Sequence, residues 1–122
     1  MKIVQIINQN HAEIKIKVNW CSSFISKFKG LMFVKSIPDF TGIILVENVE
    51  SRVNTAIHML FMNFDITAVW IDKNFDVVDV HMAQKWHLSY VPKKKARYVL
   101  ELNASHIQDF HIGDHLVFDY EK

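Results

Sequence analysis

The segment ARYVLELNAS, residues 96–105, places a cation and a carboxylate within a run of apolar residues. Read as a strand, it directs Arg97, Glu101 and Asn103 to one face and apolar side chains to the other. Arg97 and Glu101 would lie about 13 Å apart along that strand, so they cannot pair with each other. A charge on a covered face is costly unless a partner or a ligand meets it. We therefore predict either that these charges tie neighbouring strands together or that they orient a small polar ligand in a pocket.

Aromatic residues and a histidine could complete such a pocket. His58 lies in the most apolar segment of the chain. A histidine in that position is commonly a neutral, hydrogen-bonded core residue, and otherwise a polar handle at the end of a pocket. An apolar wall could come from the aromatic stretch at residues 86–90. The candidate binding pocket consists of Arg97, Glu101, Asn103, His58, Trp86, His87 and Tyr90.

Histidines near the end of the chain raise the question of a metal site. His111 and His115 are four residues apart, which is the spacing of two ligands on one helix face. Gly113 and Asp114 interrupt any helix between them, and only His106 lies close by. Solvated surface histidines explain this pattern better than a zinc site. We predict no metal and no cofactor.

Three other patterns also favour ordinary structural roles. DKNFD (72–76) has the alternating oxygen ligands of a calcium loop, but Val77 replaces the required glycine and Ala83 the final glutamate, so it predicts a hairpin tip. Cys21 precedes a candidate helix start, yet it follows an alternating strand without a neighbouring histidine, which indicates an inert thiol. PKKKAR (92–97) has no interleaved aromatic residues and predicts a solvated turn, not a nucleic-acid site.

Length and composition predict one domain spanning residues 1–122. Half of the residues are hydrophobic, including nine Phe and three Trp, which supplies a sizeable core. The net charge is +1, and the chain contains no strongly basic or acidic segment. One cysteine excludes an internal disulfide, and the polar turn after seven residues predicts no signal peptide. No apolar run reaches the roughly 20 residues of a membrane helix. We expect a soluble, cytoplasmic protein with no nucleic-acid or membrane partner.

Apolar residues recur mainly with a period of two, which predicts strands. Ile14, Ile16 and Val18 alternate with polar residues, and KIVQII is the expected hairpin partner, turning through residues 8–11. A further hairpin is expected at the DKNFD turn.

Two segments are apolar on both faces. ITAVWI (66–71) predicts a strand covered on both sides. We interpret residues 54–64 as a second such strand, although their pattern alone leaves a buried helix open.

Cap and stop residues predict two short helices. The first begins at Ser22 or Ser23 and ends near Gly30, and the second spans residues 103–113. The fold class is thus mainly β, a single compact β-sandwich or distorted barrel with about two short helices.

Four blocks along the chain resemble a known family. In order they are KGLMF (29–33), IHMLFMNFDITAVWID (57–72), VVDVHMAQKWHLSYVPKKKARYVLELNA (77–104) and IGDHL (112–116). Together they resemble domain of unknown function 192, a family of small uncharacterised prokaryotic proteins. The resemblance implies a compact, mainly β fold of the sandwich type and brings no established activity, cofactor or catalytic residue. Asp65 and Thr67 depart from the family pattern, which typically has Pro and Asp there.

The leading functional hypothesis is a non-enzymatic β-domain that binds a small polar ligand or a protein partner. It follows from an intact core pattern without a convincing nucleophile, base or metal set. One alternative is a hydrolase or transferase that uses Glu101 and a histidine as an acid–base pair. Another is a structural or assembly module, which a patch of exposed aromatic residues from 86–90 would support. The sequence does not specify an oligomeric state.

Overall fold

The alternating segments form one mixed sheet. The computed structural model describes residues 2–23, 31 and 35–120. Its strands are β1 (Ile3–Asn8), β2 (His11–Cys21), β3 (Thr41–Ser51), β4 (Ile66–Ile71), β5 (Val77–Ala83), β6 (Ala96–Asn103) and β7 (Leu116–Tyr120). Across the sheet they follow the order β5-β4-β6-β3-β2-β1-β7. β2 and β3 run parallel, and the other neighbouring strands are antiparallel.

Both predicted hairpins are present. β1 pairs with β2 through a two-residue turn at residues 9–10. β4 pairs with β5 through the DKNFD segment, where an Asp72 carboxylate oxygen accepts hydrogen bonds from the N–H groups of Asn74 (2.9 Å) and Asp76 (3.0 Å). An aspartate that binds backbone N–H groups further along the chain is a common way to close a turn. The first carboxylate of DKNFD therefore closes the hairpin.

The inner face of the sheet carries the larger core. The alternation predicted for β6 is confirmed, because Tyr98, Leu100 and Leu102 point to this face. Neighbouring strands contribute aliphatic residues at matching positions. The full cluster is Val4, Ile6, Ile14, Ile16, Val18, Ile44, Val46, Val69, Ile71, Val77, Tyr98, Leu100, Leu102, Phe110 and Leu116.

The outer face of the central strands is also buried, beneath segments that connect strands. Every residue of β4 is buried, which confirms that ITAVWI is covered on both sides. Ala68 and Trp70 of β4 pack in one cluster with residues from these segments. The cluster is Leu31, Ile37, Ile43, Ile57, Met59, Met62, Ile66, Ala68, Trp70, Ala83, Ala96 and Val99.

The prediction of a strand at residues 54–64 is wrong, and the segment is not helical either. It is an irregular connection with one isolated bridge, between Ile57 and Tyr90. The indole N–H of Trp70 donates to the carbonyl oxygen of Thr55 at 2.7 Å, which holds the connection against β4. Its apolar residues are buried because the segment covers the sheet, and this produces the same pattern as a strand inside it.

The helix predicted over residues 103–113 is reduced to one 3₁₀ turn, Ala104–His106. Asn103 does cap this turn, as predicted. No longer helix forms because the following chain pairs with the edge of β5, where the N–H of Gly113 donates to the carbonyl of Val77 at 2.9 Å. In the described residues no helix is long and apolar enough to cross a membrane.

The two edge strands of the sheet, β5 and β7, approach each other at one end only. The N–H of Val77 donates to Asp114 and that of Leu116 to Phe75, both at 2.9 Å. The mainly β class is confirmed. The described residues form a single sheet that does not close, rather than two packed sheets or a complete barrel.

The helix expected from Ser22 or Ser23 to Gly30 lies largely outside the described residues.

Candidate functional site

Glu101 lies near the centre of the outer face. Its direct neighbours across the sheet are Ile43 of β3 and Ala68 of β4. The residue is 6% exposed, and its carboxyl has no hydrogen bond or ion pair with any other residue of 2–23, 31 and 35–120. Burial raises the pKa of this carboxyl to about 7, because the charged form loses hydration. Glu101 is thus an ionisable group without a protein partner in the described part of the chain.

Cys21 lies in the electrostatic range of Glu101. Burial and, secondly, the charge of Glu101 raise the pKa of the Cys21 thiol. The thiol donates a weak hydrogen bond to the carbonyl of Asn19 at 3.7 Å. A raised pKa disfavours the thiolate that nucleophilic chemistry requires, so this environment agrees with the expectation of an inert thiol.

Arg97 and Asn103 each hold a different segment. The Nε of Arg97 donates to the carbonyl of Glu47 at 2.9 Å, and its guanidinium lies 5.2 Å from the centre of the Tyr98 ring. The amide of Asn103 donates to the carbonyl of Ile37 at 2.8 Å. As predicted, Arg97 and Glu101 do not pair with each other. The charged guanidinium has a structural partner, whereas the carboxyl has none among the described residues.

The aromatic residues of the predicted pocket gather on connecting segments. The rings of His87 and Tyr90 lie 4.6 Å apart, and the 54%-exposed Trp86 packs edge-on against Phe61 at 5.2 Å. Trp86 and Phe61 both have left-handed backbone, with φ of 65° and 62°. The Nδ1 of His58 accepts the N–H two residues further on at 3.3 Å. The structure therefore brings His87 and Tyr90 together, whereas Trp86 packs against Phe61, and no hydrogen bond joins these residues to Glu101.

Asp79 is a buried acidic residue to which the sequence pattern assigned no role. It is 1% exposed, and its carboxylate accepts hydrogen bonds from the N–H groups of Val80 (2.9 Å) and Lys93 (3.0 Å). The Nε2 of His81 lies 3.1 Å from the same carboxylate. Asp79 thereby fixes the start of the PKKKAR turn. The sequence feature that could have indicated this role is an aspartate between two valines in a predicted strand.

A cavity of about 450 Å³ lies on the outer face between β2, β3 and the segment before β3. Ile43, the neighbour of Glu101, forms part of its wall. None of the seven predicted pocket residues is among the described residues that line it. Its volume falls in the range of small-molecule sites. The lining residues are Ile3, Lys17, Val18, Asn19, Leu31, Ser36, Ile37, Pro38, Thr41, Gly42 and Ile43.

Hydrogen bonds hold the cavity wall to the sheet. Besides the bond from Asn103 to Ile37, the hydroxyl of Thr41 donates to the carbonyl of Pro38 at 2.8 Å. The Nε2 of His106 accepts the N–H of Phe40 at 3.1 Å, which leaves the proton of the neutral ring on Nδ1, 2.7 Å from Asp109. These hydrogen bonds therefore hold the wall in place without a ligand.

Known proteins resemble this chain in sequence and in fold. The DUF192 family, described as "Uncharacterized ACR", matches residues 5–118. A UPF0127 protein of Thermococcus kodakarensis is 42% identical over 85 residues, which are 70% of this chain and 52% of the relative. A UPF0127 protein of Pyrococcus furiosus is 39% identical over 89 residues, or 73% of each chain. The chain thus spans about half the length of its Thermococcus kodakarensis relative.

Two crystal structures share the fold. A proposed transcription regulator from Sinorhizobium meliloti superposes with a TM-score of 0.83 at 16% identity, covering 96% of this chain and 92% of that one. A protein of unknown function from Novosphingobium aromaticivorans gives 0.75 at 16% identity, covering 94% and 83%. At such identity the likeness concerns the fold alone.

Proposed function

Because this chain belongs to the DUF192 family of uncharacterised proteins, we propose from its own geometry that it is a non-enzymatic domain that binds a small molecule. The observation that carries this proposal is the cavity of about 450 Å³ on the outer face. Most of its lining is apolar, and a few polar residues stand among the apolar ones, which is the usual composition of a ligand site.

The lining also indicates the chemistry of the ligand. Ile37, Pro38 and Ile43 offer an apolar surface, whereas the amide of Asn19 on β2 and the hydroxyl of Ser36 can donate hydrogen bonds. A molecule that is apolar along most of its length and carries a hydrogen-bond acceptor at one end matches this arrangement. The hydrogen-bonded wall supports the proposal further, because a preformed site loses little free energy in ordering itself around a ligand.

Acid–base chemistry at Glu101 is the second candidate. The specific observation in its favour is the pKa of about 7, which suits a group that gives and takes protons near neutral pH. We rank it below binding because no histidine of the described residues forms a hydrogen bond with Glu101.

An assembly role ranks third. Its support is the exposure of Phe61, Trp86 and Leu88, which are 43%, 54% and 73% exposed. For the location of the protein we keep the cytoplasm as a proposal, supported by the single cysteine, Cys21.

Filling the mouth of the cavity should abolish binding of a suitable probe. Ser36 is exposed and lines the cavity, so Ser36→Trp should place an indole in the space that a ligand needs. We expect the affinity for anilinonaphthalene sulfonate, an apolar anion, to fall at least tenfold in a fluorescence titration. The thermal unfolding temperature of the variant should stay close to that of the wild type.

Ser89→Trp is the matched control, because Ser89 is also an exposed serine but lies within the aromatic stretch at residues 86–90 and does not line the cavity. It should leave the titration unchanged. Equal affinity of Ser36→Trp and wild type, or a loss confined to Ser89→Trp, would exclude the cavity as the site.

A further inference from the structure

A second group of polar side chains lies at the other end of the β1–β2 hairpin, where β2 begins. His11, His111 and Asp114 each present one potential ligand atom, and the three atoms lie within 4.8 Å of one another. His11 is the first residue of β2, whereas the other two precede β7. The pairing of β1 with both β2 and β7 brings these distant positions together.

The carboxylate of this group is buried and held in place. Asp114 is 8% exposed, and its Oδ2 accepts hydrogen bonds from the amide of Asn8 and from the N–H of His111, both at 2.9 Å. Its Oδ1 accepts no hydrogen bond from the described residues. Asn8 is itself fully buried, and its amide also donates to the carbonyl of Asp109 at 2.9 Å. A fixed carboxylate with a supporting amide is the kind of outer-shell arrangement that orients metal ligands.

The two imidazoles lie beside that carboxylate and are partly exposed, and the Nδ1 of His11 is also 3.8 Å from a carboxylate oxygen of Glu13. The side chains of His11 and His111 are 44% and 55% exposed, and their ring centres lie 5.9 Å apart. The Nδ1 of His111 lies 3.9 Å from Asp114. Tetrahedral ligands at about 2.0–2.1 Å from a metal are separated by about 3.3 Å, so modest rotations of the exposed rings would complete the geometry.

We propose that His11, His111 and Asp114 form a binding site for a divalent transition-metal ion, with Zn²⁺ as the natural occupant. Two imidazole nitrogens and one carboxylate oxygen are typical zinc ligands, and three protein ligands leave the fourth position to water. The ion would join the start of β2 to the loop before β7. Binding only to the folded chain, it would also raise the stability of the protein.

Titration of metal-stripped, tag-free protein with Co²⁺ tests this proposal. We expect one equivalent to bind, with the visible absorption of a four-coordinate cobalt ion, and Zn²⁺ to displace it. His11→Asn and His111→Asn should each weaken Co²⁺ binding at least tenfold and remove the increase in thermal unfolding temperature that Zn²⁺ causes.

His87→Asn is the control, because His87 is an exposed histidine far from these residues in sequence and pairs with Tyr90. It should bind Co²⁺ like the wild type. The absence of saturable binding, or equal affinity in the wild type and the His11→Asn, His111→Asn double variant, would overturn the proposal. The cavity and its probe play no part in this experiment, so its outcome is independent of the proposed function.

Discussion

Glu101→Gln should make the protein more stable at pH 8 and leave its stability at pH 4.5 nearly unchanged. In the folded protein burial raises the pKa of Glu101 to about 7, whereas 4.5 is its ordinary value. Between these values the folded state holds a proton that the unfolded chain releases. The free energy of unfolding therefore falls as the pH rises from about 4.5 through 7 and stays low above it. At about 1.4 kcal/mol per pH unit, the loss amounts to roughly 3 kcal/mol.

Urea unfolding of wild type and variant at pH 4.5, 6 and 8 measures this effect. Glutamine remains neutral, so the stability difference between the two proteins should grow with pH. Glu13→Gln, which replaces a glutamate with a 74%-exposed side chain on β2, should show no such pH-dependent difference. A stability difference for Glu101→Gln that is the same at all three pH values would mean that the buried carboxyl is not destabilised.

Gly42→Ala should lower the free energy of unfolding by about 3 kcal/mol, at the upper end of the usual cost of overpacking. Gly42 lies on β3 directly beside β6, and a Cβ there would overlap the backbone oxygen of Glu101 and approach the Cδ2 of Leu102 to 2.7 Å. A backbone atom in a sheet cannot rotate away as a side chain can. The two strands would have to separate at Gly42, which lines the cavity.

The change is measured by urea unfolding, with Val49→Ala as the comparison. Val49 lies on the same strand but is 66% exposed, so its truncation should change the stability by less than about 0.5 kcal/mol. If the free energy of unfolding of Gly42→Ala differed from that of the wild type by less than about 0.5 kcal/mol, the close approach of β3 to β6 would be disproved.

The sequence predicts strands correctly where side chains of different character alternate along the chain. This alternation located β2, which has one solvent-exposed face, and β6, whose two faces pack differently. The strand prediction failed at residues 54–64, where apolar residues cover the sheet from outside and form one isolated bridge, at Ile57, instead of a strand. Burial on a covering segment and burial inside a strand produce the same composition. The predicted second helix failed because the N–H of Gly113 bonds to Val77 of β5, a long-range contact that no local pattern encodes.

The candidate sites likewise divide into features that the local sequence indicates and features that depend on long-range contacts. Glu101 stood out because a carboxylate within an apolar strand has to be accommodated, and its burial is confirmed. The cavity did not stand out, because its wall joins β2 to residues 36–38 across the parallel pairing with β3. The sequence likewise does not indicate His11 as a ligand, since it lies one hundred residues before His111. Long-range strand pairing supplies both arrangements.

Amide chemical-shift mapping of isotope-labelled protein during titration with anilinonaphthalene sulfonate tests the binding proposal most directly. We expect saturable shifts at residues 17–19, 36–37 and 41–43, whose amides surround the cavity. The amides of residues 86–90 should not move. Shifts centred on Trp86, His87 and Tyr90, or no saturable shifts anywhere, would contradict the proposal that the outer-face cavity is the ligand site.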